Sequence, residues 1–198
     1  AGKYYVSGSF RRDGSSRLSR DSRWGNFWSV SGSWRLSQEA FMESLSNVIT
    51  DAKIRASYGV NGTQPKDYYG YMGVYEFGYN YNGNGGSSEA RFYNPSLKWE
   101  KNYATNIGID LTLFNRLTVS AEWYNRETKD LLMDKPISAA VGVINSSGVA
   151  NMLVNVGSMR NRGFELELKS TNIQNKDLLW TTSLNIGHNK NKLTKLDG

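Results

Sequence analysis

Hydrophobic and polar residues alternate along this chain. In "FWSVSGSWRL", residues 27–36, one set of positions holds Trp28, Val30, Gly32, Trp34 and Leu36, and the other holds Phe27, Ser29, Ser31, Ser33 and Arg35. A period of two is the repeat of a β-strand, whose successive side chains point to opposite faces. The repeat returns in "KYYVSGSF" (3–10), "DAKIRASYGV" (51–60), "ATNIGIDLTL" (104–113), "LTVSAEWYN" (117–125), "GFELELKS" (163–170) and "LWTTSLNIGHN" (179–189). Seven strands are therefore predicted, each with a greasy and a polar face.

The connections carry as much information as the strands. They span about 11–26, 37–50, 61–103, 114–116, 127–162 and 171–177, so the odd ones are long and the even ones shorter. An up-and-down antiparallel meander with long loops at one end and short turns at the other is how an outer-membrane barrel is built. Strands of about 9–11 residues suit a tilted crossing of the bilayer. In the 37–50 connection, "SQEAFMESL" predicts a short helix capped by Ser37, with Phe41, Met42 and Leu45 at helical spacing.

Composition agrees with an all-β chain. Aromatic residues make up 13%, glycines number 20 and prolines only 3. No apolar run reaches the ~18 residues of a membrane helix, which leaves a barrel open. Cysteine is absent, so neither a disulfide nor a thiolate metal site can form.

Two architectures share the alternation. In a membrane barrel, Trp28, Val30, Trp34, Ile54, Ile109, Val119, Trp123, Leu166 and Leu184 would face lipid, with the two tryptophans of strand 27–36 near the membrane–water interfaces. Ser31, Arg55, Asp110, Glu122 and Glu167 would then face a wet lumen. In a soluble β-sandwich, such as a carbohydrate-binding module, the same apolar faces would pack against each other. The unequal loops favour the barrel.

Candidate chemistry is sparse. The lone histidine, His188, sits in an asparagine and lysine cluster read as a strand end, and is expected to be solvated. Glu165 and Glu167 share a strand face, a pairing that could serve glycoside hydrolysis but fits partnership with neighbouring basic residues better. Neither a catalytic set, a metal site nor a cofactor is expected. The formal charge of +6 and the five arginines of "RRDGSSRLSRDSR" raise the question of nucleic acid. The "DG" turn and two nearby aspartates point instead to a surface loop held by Arg–Asp pairs near lipid phosphates, with no nucleic-acid partner. The richest binding surface is the 61–103 connection, whose "DYYGYMGVYEFGYNYNGNGG" offers Tyr68, Tyr69, Tyr71, Tyr75, Tyr79 and Tyr81 for stacking on a ligand or on a covering protein. Its alternation through Tyr71, Tyr75, Phe77, Tyr79 and Tyr81, ending in "NGNGG", also reads as a hairpin.

From "RDGSSR" (12–17) and "RWG" (23–25) onward, the chain resembles the SusC/RagA family of TonB-dependent outer-membrane transporters. The likeness continues through "SVSGSWRLSQEAF" (29–41), "KIRASYGVNG" (53–62), "NPSLKWEKN" (94–102), "NIGIDLTLFNRLTVSAEWYNRETKDLL" (106–132) and "NVGSMRNRGFELEL" (155–168). Trp28 departs from the family's usual proline before Ser-Val-Ser. The resemblance implies that residues 1–198 are part of the later half of a 22-stranded transmembrane β-barrel, the size of plugged outer-membrane transporters. The plug, the TonB-contacting N-terminal segment and the closing C-terminal strand would lie outside it. It further implies import of oligosaccharides or peptides, a SusD-like surface lipoprotein as lid, energy from the TonB complex, and the outer membrane of a Gram-negative bacterium as location.

Overall fold

The computed structural model describes residues 2–138, 140 and 151–196. Eleven strands follow one another: β1 (Tyr4–Gly14), β2 (Trp24–Arg35), β3 (Ile49–Thr63), β4 (Val74–Tyr81), β5 (Asn84–Arg91), β6 (Glu100–Leu113), β7 (Leu117–Lys129), β8 (Leu132–Pro136), β9 (Asn151–Asn155), β10 (Ser158–Gln174) and β11 (Leu179–Lys195). Seven of them form a single antiparallel sheet in the order β1-β2-β3-β6-β7-β10-β11. The other four make two hairpins, β4–β5 and β8–β9, that interrupt the long connections without entering the sheet. The sheet is thus an uncrossed meander, the topology expected of a barrel wall. Among the described residues no second sheet faces this one: Trp123 is 44% exposed, where a sandwich would have enclosed it.

Both ends of the alternation work as the residue types demand. On the polar side of β1 and β2, the hydroxyls of Ser7 and Ser31 lie 2.8 Å apart and those of Ser9 and Ser29 2.7 Å apart. Serine can both donate and accept, so such a ladder satisfies itself across the strands. The tight turn at 114–116 takes positive φ at Phe114 and Asn115 (53° and 54°), the two central residues of a primed hairpin turn matched to strand twist.

Two expectations need correction. The strands are longer than the hydropathy pattern indicates: β3 has 15 residues, and β10 and β11 have 17 each. Their added residues continue the alternation with charge in place of grease, as in Lys190 and Lys192 against Asn189 and Asn191. His188 is accordingly in mid-strand, paired across from Phe164, and not at a strand end.

The 37–50 connection holds no α-helix. It forms two 3-10 segments, Leu36–Gln38 and Ala40–Leu45, with no buried residue in either. An isolated helical turn gains its stability from burying a stripe, and none is available here. Ser37 donates its hydroxyl to Asp51 at 2.8 Å and caps nothing. Between the two segments, Glu39 accepts from the Tyr4 hydroxyl at 2.6 Å, the Trp34 indole at 3.1 Å and the Lys3 ammonium at 3.2 Å. These donors, the tyrosine first, hold its carboxyl below the usual range.

Candidate ligand-facing loops and the two faces of the wall

The buried apolar cluster lies at the long-loop end. Leu18 and Leu97 are 0% exposed, Phe27 2% and Trp99 8%. Phe27 and Trp99 meet edge to face, with ring centroids 5.3 Å apart. Close approach explains two glycines: a Cβ at Gly25 or Gly62 would lie 2.4 or 2.1 Å from the Phe27 ring. Tyr71, Leu132 and Leu153 pack around the cluster. Three connections therefore share one anchor: the loop after β1, the β3–β6 loop and the β7–β10 loop.

Hydrogen bonds then lace these loops together. Ser19 donates to the Pro95 carbonyl at 2.8 Å, and Ser15 to Gln64 at 2.7 Å. Trp99 donates its indole N–H to the Arg23 carbonyl at 3.0 Å. Asn94 donates to the Leu153 carbonyl at 2.8 Å. Asn155 donates to the carbonyls of Lys98 (2.9 Å) and Asp130 (3.0 Å) and accepts from the Lys98 N–H (2.8 Å). The short motifs "RWG", "NPSLKWEKN" and "NVG" therefore act here as loop anchors.

The arginine-rich segment is held by more than the expected Arg–Asp pairs. Asp13 does pair with Arg11, at 3.0 Å. The segment is held chiefly by Leu18 in the cluster and by Arg17, which donates to the carbonyls of Pro65 (2.9 Å) and Lys66 (2.7 Å). The Arg17 guanidinium also lies over the Tyr68 ring, 4.2 Å from its centroid.

The six tyrosines of the 61–103 connection do not form one stripe. Tyr68, Tyr69 and Tyr75 are exposed, at 69%, 55% and 62%. Tyr71 is half-buried against the apolar cluster, so it props the loop. The hairpin is present, with Asn82 and Gly83 at its tip, both at positive φ, as an Asn-Gly turn requires. Gly78 (φ 105°) forms a bulge between Phe77 and Tyr79, whose partners Ser87 and Gly86 are adjacent. An extra residue reverses the alternation, so Tyr79 faces away from Phe77 and Tyr75. Phe77, 85% exposed, was absent from the sequence-derived set and joins Tyr75 on its face. Tyr81 ends β4, and its side chain lies outside the described residues.

Strand register assigns the wall's faces. Trp34, Ile54, Ile109 and Leu166 occupy one cross-strand row, Val119 and Leu184 share another, and Trp28, Val30 and Trp123 lie on the same face in further rows. The opposite face carries a charge network. Asp110 accepts from Ser120 at 2.7 Å and pairs with Lys53 and Arg55, each at 3.3 Å. Arg55 also pairs with Glu122. Glu165 and Glu167 belong to this face, and Glu167 pairs with Lys169 at 2.5 Å. Lys53, Arg55 and Lys169 pair with Asp110, Glu122 and Glu167, which suits a structural role for these three carboxylates, while Glu165 stands directly across from Glu122. Among the described residues, no three His, Cys, Asp or Glu side chains gather where a metal ion could sit.

A family model described as TonB dependent receptor-like, beta-barrel, matches residues 1–196. TonB-dependent receptor P39 of Formosa agariphila is 38% identical over 195 residues, covering 98% of this chain and 18% of that protein. The TonB-dependent receptor SusC of Bacteroides thetaiotaomicron is 35% identical over 207 residues, covering 99% of this chain and 20% of that protein. Among solved structures, the RagAB peptide importer in its closed-closed state superposes with a TM-score of 0.85 at 33% identity, over 98% of this chain and 21% of that one. The chain thus spans about a fifth of the length of these curated relatives.

Proposed function

The chain belongs to the TonB-dependent receptor β-barrel family, and from that premise we propose that it forms part of the barrel wall of a SusC/RagA-type nutrient importer. The location is the outer membrane of a Gram-negative bacterium. The cargo is an oligosaccharide or a peptide, and a SusD-like surface lipoprotein closes over the barrel. The TonB complex supplies the energy through parts of the full-length protein other than this wall. The apolar face meets outer-membrane lipid, and the Arg55–Asp110–Glu122 face lines the lumen. The reading is of a transporter, without chemistry on its cargo.

The observation that carries this reading is the anchored loop tier on an uncrossed meander. Connectors have a median length of about 4–6 residues. The β3–β6 connection is much longer, carries its own hairpin and is tied down at both ends by Arg17, Asn94, Leu97 and Trp99. A loop held that firmly presents Tyr68, Tyr69, Tyr75 and Phe77 to solvent at little entropic cost. Flat aromatic faces of this kind stack on sugar rings and peptide planes.

Deletion of residues 68–86 from the full-length importer is expected to leave the barrel folded at normal surface levels and to impair growth on its cargo. Tyr75→Ala is expected to weaken capture by about 0.5–1.5 kcal/mol, measured by equilibrium binding to the purified complex. Undiminished uptake by the deletion strain would reduce the loop to scaffold.

A further inference from the structure

On the membrane-side face of β10 and β11, grease gives way to charge within one row. Phe164 and His188 form the last apolar–aromatic pair, with ring centroids 5.8 Å apart. The next two rows toward the long-loop end pair Arg162 with Lys190 and Arg160 with Lys192. All four side chains are exposed, and together with Thr194 they line a cleft of about 180 Å³. Directly opposed residues on neighbouring strands hold their Cβ atoms about 4.5–5.5 Å apart, and like charges so placed repel. Among the described residues, Glu127 on β7 is the carboxylate paired with this group: it lies 3.5 Å from Arg160 and is shared with Lys129 at 3.7 Å.

We propose that Arg160, Arg162, Lys190 and Lys192 form a binding site for the phosphate groups of lipopolysaccharide in the outer leaflet. The proposal rests on the importer reading above, which turns this face toward the membrane and the long loops toward the cell exterior. Three features of the site suit that ligand. It sits immediately above the apolar band, at the height where the phosphates of an anchored lipid begin. Its two arginines present planar forks that bind phosphate oxygens in pairs, while its two lysines add compact charge. The excess positive charge, unfavourable in isolation, becomes favourable when a doubly charged anion bridges the rows. Charge complementarity thus selects an anionic lipid headgroup over a neutral one. The same four residues lie on the sheet face and not in the lumen, so the site does not compete with the cargo path.

The test uses the full-length importer, extracted in mild detergent, with lipopolysaccharide retained per protein measured by native mass spectrometry. Arg162→Gln with Lys190→Gln should lower retention by roughly fivefold for each cation removed, and raised salt should produce a similar loss in the parent protein. Lys169→Gln, on the opposite face of β10, should change nothing. Added inorganic phosphate should displace little, because a free anion lacks the acyl anchor, whereas lipopolysaccharide stripped of phosphate should bind as weakly to the parent as intact lipid does to the variant. Equal retention by parent and variant overturns the site, as does full binding of the stripped lipid. A heat-modifiable gel shift reports that each variant is folded. Labelling Leu166→Cys with lipid-soluble and water-soluble maleimides in membranes reads the wall's orientation separately. Reaction with the water-soluble reagent alone would sink the importer reading and the site together; lipid-soluble labelling with unchanged retention would sink the site only.

Discussion

The loop tier and the wall solve the same problem in opposite ways. In the tier, Leu18, Phe27, Leu97 and Trp99 are hidden from solvent by one another. In the wall, Val30, Trp34, Ile54, Trp123 and Leu184 keep between 37% and 50% of their surface exposed. A water-soluble sheet cannot leave such a face open, because contiguous apolar patches of more than a few hundred Å² drive association. A membrane sheet can, since lipid removes the face from water and closed strand pairing removes the backbone groups. On the proposed membrane reading the wall needs little core beyond Ala52 and Val60, and the buried cluster sits where loops must hold their shape in water.

The largest expected effect tests whether the tier is an independent unit. Leu97→Ala opens a cavity where three loops meet, at a cost of about 2–5 kcal/mol for a buried leucine. Hydrogen exchange should accelerate across 64–99 and at 130–138, while the backbone amides of β6 and β7 stay protected. Loss of protection in tier and wall together would show one cooperative body and erase the contrast.

The second test concerns the two sides of the wall. Val119 lies on the apolar face and its neighbour Ser120 on the charged one, where it donates to Asp110. Val119→Arg should cost about 2–4 kcal/mol of barrel stability if it sits at mid-membrane, measured by denaturant titration in bilayers. Ser120→Arg places a cation beside Asp110 and Glu122 and should cost much less. Equal losses would mean that the register-defined faces do not correspond to lipid and lumen.

How much of this was legible in the sequence depends on what kind of signal each feature leaves. The seven wall strands and their order follow from period-two alternation and unequal loop lengths, because both properties are local. The full length of β10 and β11 does not, since Arg160, Arg162, Lys190 and Lys192 keep the period in charge while hydropathy reads them as loop. The tyrosine stripe fails at Gly78, where one inserted residue turns Tyr79 to the other face; a glycine inside a strand pattern is the signal that could have warned of it. The core of the tier leaves almost no periodic trace. Leu18 and Leu97 are single apolar residues in polar stretches, and only distant chain segments bring them together. Their neighbourhood was visible only as the short motifs of the family resemblance, without a reason for them.

The smallest effect sharpens the charged face most. In one cross-strand row Arg55, Gly108 and Glu122 stand side by side, with the glycine on the middle strand. The guanidinium of Arg55 passes over Gly108 to reach Glu122, and a Cβ there would lie 2.7 Å from its central carbon. Glycine inside a strand ordinarily costs about 0.5–1 kcal/mol relative to alanine, so Gly108→Ala should be stabilising unless the passage matters. Both charged side chains keep about a third of their surface, 34% and 30%, so solvent screens the pair and its value is about 0.2–1 kcal/mol. The two terms nearly cancel, and the single substitution alone decides nothing. A double-mutant cycle separates them. In a Glu122→Gln background Arg55 has less reason to cross the strand, and Gly108→Ala should then stabilise the barrel by more than it does in the parent. The difference between the two backgrounds is the value of the passage, and a difference of zero would show that Gly108 is there for some other reason.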